Sequence, residues 1–291
     1  MNKKLTTFFR RLRFFFVLAL FLAFVLAVAV LVAFRRFESR RLYHPIAEIT
    51  LTPHDLQLDF QSVEFRASDN VMLSGWWIAA PRPVATVVFF HGASGNVSHL
   101  VRFAPWFYKH HFNLFLWDYR GYGVNPGKPS EAGLRRDSLA ALEVARQMNR
   151  KFSPPLPVIL YGHGIGASLA LHAASTHPDW VSALVLEGAF PSFDEITRRD
   201  FPSLPLYALV SQHYDAASAI AALPSIPKLV AHSPTDETIP FAMGVALARS
   251  AASPSTFATL SGGHNDHSWF DPDSPSNPAL VSFLSSVLDN Q

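Results

Sequence analysis

The sequence contains no cysteine. That excludes disulfides, thiolate nucleophiles and cysteine-ligated metals, and leaves the compartment open. Its 13 histidines show no His-Glu-x-x-His or comparable spacing, so no metal and no other cofactor is expected. It has no internal repeat and no low-complexity tract; the 22 prolines mark loops. An excess of one charge is also missing, because the formal net charge is only +2. The balance is uneven along the chain. Residues 1–41 hold nine Lys/Arg against the single acid Glu38, and the rest holds 15 basic and 21 acidic residues. A mildly acidic body argues against a nucleic-acid partner.

Residues 14–34, "FFFVLALFLAFVLAVAVLVAF", carry no charge at all. As a helix this run is about 30 Å long, the thickness of a bilayer's hydrocarbon. Ala27-Val28-Ala29 has the form of a signal-peptide cleavage site, but the apolar run continues through Phe34, longer than a signal core. The expectation is an uncleaved, single-pass anchor whose partner is the lipid bilayer. Five basic residues precede the span and four follow it. That weak bias leaves orientation to a choice, and the body is placed outside the cytoplasm. The resulting plan is a basic segment at 1–13, the span at 14–34, a tether at 35–57 and one α/β body at 58–291.

The body alternates β and α patterns. "LQLDFQSVEFRA" and "VMLSGWWIAA" read as an antiparallel pair joined by the polar turn "SDN". Six short apolar runs follow, of the kind that form buried parallel strands: "ATVVFFHG", "NLFLWDYRG", "PVILYG", "SALVLEGAF", "PKLVAHS" and "STFATLSGG". Helical stretches are expected at 131–150, 166–177, 241–252 and 276–289. The pattern predicts a mainly parallel sheet of about eight strands, helices on both faces and reactive groups at the strands' carboxyl ends. Residues 191–224, rich in Pro, Ser and aromatics, break the alternation. They read either as a small lid or as a long connection.

The strand ends carry the chemistry. In "YGHGIGAS" (161–168) the glycines 162, 164 and 166 match the Gly-x-Ser-x-Gly elbow that presents a nucleophilic serine, except that Gly164 stands where the serine belongs. "SPTDETIP" puts Asp236 after a later strand, and "GGHND" puts His264 after the last. Nucleophile position, acid, histidine is the chain order of the α/β-hydrolases. Further motifs lie in register around them: His91-Gly92-Ala93-Ser94-Gly95-Asn96 with His99, "DYRGYG" (118–123) and "PSEAGL" (129–134). On these motifs the body, from about residue 60 to 290, resembles the ABHD-type, membrane-anchored branch of the α/β-hydrolase superfamily. It is similar to bacterial serine aminopeptidase-like and lysophospholipase-like hydrolases. The resemblance implies an α/β-hydrolase fold and a substrate with an ester, thioester or lipid acyl group. It further implies that Asp236 orients His264, that His264 acts as general base and then acid, and that the backbone N–H groups of Ala93 and Ile165 form an oxyanion hole.

The departure at Gly164 puts the acyl-enzyme step in doubt. Loss of a triad nucleophile costs on the order of 10⁶ in turnover, while roughly 10³ over water survives through the oxyanion hole and binding. Glycine adopts the strained elbow angles freely, so a folded domain with an unarmed site is expected. Ser168 and Ser94 are the candidate substitute nucleophiles. Ser168 lies about 6 Å further along the next helix, where a packing role is the plainer reading; Ser94 reads more plainly as a loop hydroxyl. Glu187 is a substitute for the acid, and Asp118 and Arg120 read as a structural network. Three readings stay open: an impaired ligand- or partner-binding member of the family; a working hydrolase that uses another nucleophile, water or a serine variant at 164; and a structural membrane protein.

Overall fold

The computed structural model describes residues 3–289. The first two residues of the basic segment 1–13 and the last two of the body 58–291 lie outside the described residues. The chain divides between Leu42 and Tyr43 into two compact units.

The first unit is one unbroken helix, α1 (Lys3–Leu42). It takes in the apolar run and continues through the first eight residues of the segment read as a tether. Its large apolar side chains, Phe14, Phe15, Phe16, Phe21, Phe24 and Leu26 among them, stand exposed. No single face concentrates them, which is the pattern of a helix solvated by something apolar. It is long and apolar enough to cross a membrane.

The second unit is built on an eight-stranded sheet: β1 (Gln61–Arg66), β2 (Met72–Ile78), β3 (Ala85–Phe90), β4 (Phe112–Trp117), β5 (Val158–His163), β6 (Ala183–Glu187), β7 (Lys228–His232) and β8 (Ser255–Thr259). Their order across the sheet is β8-β7-β6-β5-β3-β4-β2-β1. All pairings from β8 to β4 are parallel, and β2 joins β4 and β1 antiparallel. β3 and β5 lie at the centre and bury every residue, which explains why both read as continuous apolar runs rather than alternating ones. Phe90 pairs with Gly162 and His163 with Glu187, so the ends of β3, β5 and β6 meet at one edge.

Helices cover both faces: α2 (Ala104–Lys109), α3 (Glu131–Asn149), α4 (Ile165–Thr176), α5 (Phe193–Asp200), α6 (Ala216–Ala221), α7 (Phe241–Ser250) and α8 (Asn277–Asp289). On one face α3, α4, α6 and α7 pack in sequence. On the other, Val87, Phe89, Ile159, Tyr161 and Val185 of the strands share one apolar cluster with Trp106 and Phe107 of α2 and Leu280, Phe283 and Leu284 of α8. The alternation of strand side chains divides these two layers.

Two local devices matter for the site. Helix α3 is capped by Ser130, whose Oγ accepts the Gly133 amide at 3.2 Å. In its first turn the Glu131 carboxylate accepts the amides of His213 (2.6 Å) and Tyr214 (3.0 Å), which fastens the 191–224 segment. That segment forms α5, a short 3-10 turn at Leu206–Leu209 and α6. Residues 43–57 are bonded into the body. The amides of His44 and Ile46 donate to the carbonyls of Ala93 and Gly95 at 2.9 and 3.1 Å. Asn96 Nδ2 donates to the carbonyls of Ile46 and Glu48 at 2.9 and 2.7 Å, and the Tyr43 and Tyr214 hydroxyls meet at 2.6 Å.

Candidate active site

Gly164 sits between the end of β5 and the start of α4 with φ 55° and ψ −119°. Side chains rarely adopt such a φ, and glycine holds it at no steric cost. The chain cannot turn more widely here. A Cβ on Gly166 would strike the carbonyls of Phe90 and His91, and one on Gly162 would lie 2.5 Å from Ala167 Cα. The outer glycines are therefore required by the close approach of α4 to β3 and β5.

The space beside Gly164 is open. Apart from its chain neighbours, a Cβ there would meet His264 Nε2 at 3.6 Å, Gly92 Cα at 3.8 Å and His264 Cε1 at 4.0 Å, all ordinary van der Waals contacts. His264 lies in the loop after β8 and its Nδ1 is 2.7 Å from Asp236 Oδ2. A carboxylate only accepts, so Nδ1 carries the proton and Nε2 presents its lone pair to the place where a side chain at 164 would be.

Asp236 follows β7 and its side chain is 2% exposed. Oδ1 accepts the amides of Thr238 and Ile239 at 2.8 and 2.7 Å. His232 Nε2 lies 3.2 Å from Oδ2 while donating to the Ile239 carbonyl at 2.8 Å. Burial pushes this carboxyl's pKa up, but the hydrogen bonds from His232 and His264 outweigh it and hold the group well below the usual carboxylate range. Asp236 is ionised at neutral pH.

Several groups position His264. Its amide donates to Glu237 Oε2 at 3.0 Å, and the preceding Gly263 amide donates to Asp266 Oδ2 at 2.6 Å. His163 Nε2 donates to the His264 carbonyl at 2.9 Å, and the two rings lie 4.6 Å apart. Burial, and then the neighbouring His267 and His264, push the His163 pKa far down, so this imidazole is neutral. In the sequence His163, next to the elbow centre, reads as a positioning or core residue, whereas His232 reads only as the end of an apolar strand.

The loop after β3 runs past the same point. Tyr119 Oη donates to the His91 carbonyl at 2.9 Å and Tyr122 Oη to the Ala93 carbonyl at 2.8 Å. The Ala93 amide donates to no group among the described residues. Ile165 is the first residue of α4, and a first-turn amide has no partner within its helix. These two N–H groups are therefore available to an oxyanion.

The other sequence candidates fall elsewhere. Ser168 Oγ is buried and donates to the Tyr214 carbonyl at 3.1 Å. Ser94 is exposed and pairs with His44 in a two-residue parallel bridge. Glu187 does not reach His264. Its Oε2 lies 2.6 Å from His267 Nδ1, and Tyr161 Oη donates to the same oxygen. Arg120 makes paired bonds to Asp137 and Asp69, and Asp118 accepts the Val97 amide at 2.9 Å. A cavity of about 430 Å³ borders the site through Gly92 and His163 and is lined by Ser94, His99, Arg102 and His267, without His264 or Asp236.

The sequence pattern of the family described as "Serine aminopeptidase, S33" matches residues 81–209. The uncharacterised protein YfhR of Escherichia coli K12 is 30% identical over 238 residues, covering 79% of this chain and 82% of that protein. Protein bem46 of Schizosaccharomyces pombe is 30% identical over 195 residues, or 65% of this chain and 64% of that one. Among solved structures, the esterase Pf2001 of Pyrococcus furiosus superimposes with a TM-score of 0.68, covering 85% of this chain and 98% of that one at 17% identity. At that identity the match speaks for the fold alone.

Proposed function

The chain belongs to the α/β-hydrolase superfamily, and from that premise we propose that it binds an acyl ester or thioester in the hydrolase cleft without forming an acyl-enzyme. The observation that carries this reading is the open position beside Gly164, 3.6 Å from an imidazole nitrogen with no other partner to serve. Asp236 and His264 would supply the base, and the amides of Ala93 and Ile165 would hold the acyl oxygen. The nucleophile alone is missing. Ser168 does not replace it, because its proton is engaged by Tyr214. Impaired serine-hydrolase chemistry follows.

In the same proposal α1 is a retained single-pass anchor and the body lies outside the cytoplasm. The length and apolarity of its 14–34 stretch support the anchor. Intact mass of the membrane-extracted protein distinguishes a retained anchor from a cleaved signal sequence.

Fluorophosphonate labelling of the purified full chain tests the site, alongside Gly164→Ser. The native chain should stay unlabelled and the variant should be labelled at position 164. A native chain labelled at any serine overturns the unarmed reading. An unlabelled but folded variant shows that base and oxyanion donors are not assembled for chemistry.

A further inference from the structure

We propose that the cavity beside the elbow receives an anionic group of the ligand, and that Arg102 selects esters and thioesters whose far end carries a carboxylate or a phosphate. This rests on the reading of the cleft as an acyl-ester site.

The cavity holds about 430 Å³ and touches the elbow through Gly92 and His163. Its size is that of a small-molecule pocket, about 300–1,000 Å³. Gly92 Cα lies 3.8 Å from the Cβ position of residue 164, and the rings of His163 and His264 lie 4.6 Å apart. The cavity thus adjoins the place where an acyl carbon would stand.

Its titratable lining has one sign. His91, His99, Arg102, His163 and His267 border it, and no Asp or Glu does. The acids nearby are engaged elsewhere. Glu187 bonds His267 Nδ1, Asp118 accepts the Val97 amide, and Asp266 and Glu237 accept the amides of Gly263 and His264. Burial keeps His163 neutral, whereas a guanidinium is charged at any working pH. The permanent charge on the cavity is therefore that of Arg102.

That charge has no counter-ion. Arg102 lies in the 3-10 turn Val101–Phe103 and is exposed. Its Nη2 donates to the Asn265 carbonyl at 3.1 Å, and its guanidinium carbon lies 4.7 Å from the centre of the Phe103 ring. These contacts hold the plane of the group without neutralising it, and Arg102 makes no ion pair among the described residues. A guanidinium carries five N–H donors, so most of them remain for a ligand. Their fork matches the paired oxygens of a carboxylate or phosphate. His99 stands beside it with only Nδ1 engaged, by the backbone of Asn96, which leaves Nε2 for the same ligand. Ile46, Leu51 and Leu100 supply apolar wall for the carbon chain between ester and anion.

The test measures binding to the full chain by isothermal titration, in a nonionic detergent and a buffer without carboxylate or phosphate. Monoethyl glutarate carries a carboxylate on the acyl side, acetoxyethyl phosphate carries a phosphate on the alcohol side, and diethyl glutarate is uncharged. At least one anionic probe should bind about tenfold or more tightly than diethyl glutarate, the effect of one charge-assisted hydrogen bond. The tighter of the two identifies the anion. Arg102→Gln should erase the preference and leave diethyl glutarate binding within a few-fold. Arg102→Lys, which keeps the charge without the fork, should retain part of it. If Arg102→Gln loses its melting transition, Arg102→Lys carries the test, and an undiminished preference there overturns the proposal. A preference that survives in folded Arg102→Gln overturns it as well, and so does a native chain that binds neither anionic probe more tightly than diethyl glutarate. If that preference is absent while Gly164→Ser is labelled by fluorophosphonate, the acyl-site reading stands and the anion pocket fails. If Gly164→Ser is not labelled, the acyl-site reading itself fails.

Discussion

Glu187 and His267 form a second carboxylate–histidine pair, Oε2 to Nδ1 at 2.6 Å, separate from the pair made by Asp236 and His264. Both side chains are 3% exposed. Tyr161 bonds the same carboxylate oxygen, and Trp269 Nε1 donates to Tyr161 Oη at 2.7 Å. Burial, and then the adjacent Glu187, push the Tyr161 hydroxyl's pKa well above the usual range, so Tyr161 acts as a donor at any working pH.

This second pair is a matter of stability. Removing one partner of a buried hydrogen bond costs about 1–3 kcal/mol, because the other is left unsatisfied. His267→Ala should lower the urea midpoint by a corresponding amount. In a Gly164→Ser background that remains folded, the same change should leave fluorophosphonate labelling within a few-fold. Loss of labelling without loss of stability would place His267 in the chemistry.

Asp236→Asn should act on the chemistry. In Gly164→Ser it should lower ester turnover by about 10⁴-fold, as loss of the orienting carboxylate does in serine hydrolases. The amides of Thr238 and Ile239 would still find an oxygen on the amide side chain, but His264 and His232 would face an N–H in place of Oδ2, so the melting temperature should fall as well. Turnover measured beside calorimetry separates the two effects.

Ser168→Ala removes one of two donors to the Tyr214 carbonyl, which keeps the Ala216 amide at 2.8 Å. Loss of one such hydrogen bond costs about 0.5–1.5 kcal/mol. Labelling of Gly164→Ser should persist in the double variant. If any reactivity of the native chain disappears with Ser168→Ala, the hydroxyl is a nucleophile after all.

The Asp69–Arg120 pair sets a pH dependence. The hydrogen bond from Arg120 takes the Asp69 carboxyl from 3.8 down to about 2. A depressed carboxylate stabilises the fold in full above its unfolded value and loses that effect as pH falls through the folded one. The native chain should therefore lose stability between about pH 4 and pH 2 more steeply than Asp69→Asn does, in urea titrations at stepped pH.

Much of the sheet was legible because its strands are buried on both faces and so appear as short apolar runs: β3, β5 and β6 stand out for that reason. The strand-end positions of Gly164, Asp236 and His264 could be read in the same way. Their partners could not, even where, as for His163, a positioning or core role was legible beside the elbow. His232 bonds Asp236 from within a strand, His163 reaches a carbonyl 101 residues away, and Glu187 meets a histidine 80 residues on. Contacts of that range depend on which strands become neighbours, and periodicity carries no such information. The lead-in was hidden for a related reason. Residues 43–57 hold few periodic apolar positions, and their hold on the body includes hydrogen bonds from backbone groups and from the side chains of Asn96, Tyr43 and Thr50.

That hold decides where the chain can be cut. A fragment beginning at residue 58 would take the Ile46 amide from the Gly95 carbonyl, leave the Ala93 carbonyl with Tyr122 alone, leave the Asn96 amide nitrogen empty-handed and remove Tyr43 from the hydroxyl of Tyr214. Those groups border the loop after β3 and the segment pinned by Glu131. A truncation intended only to shed α1 would thus loosen both rims of the cleft at once if it ran to residue 57, and a fragment that keeps the second unit whole should begin at Tyr43.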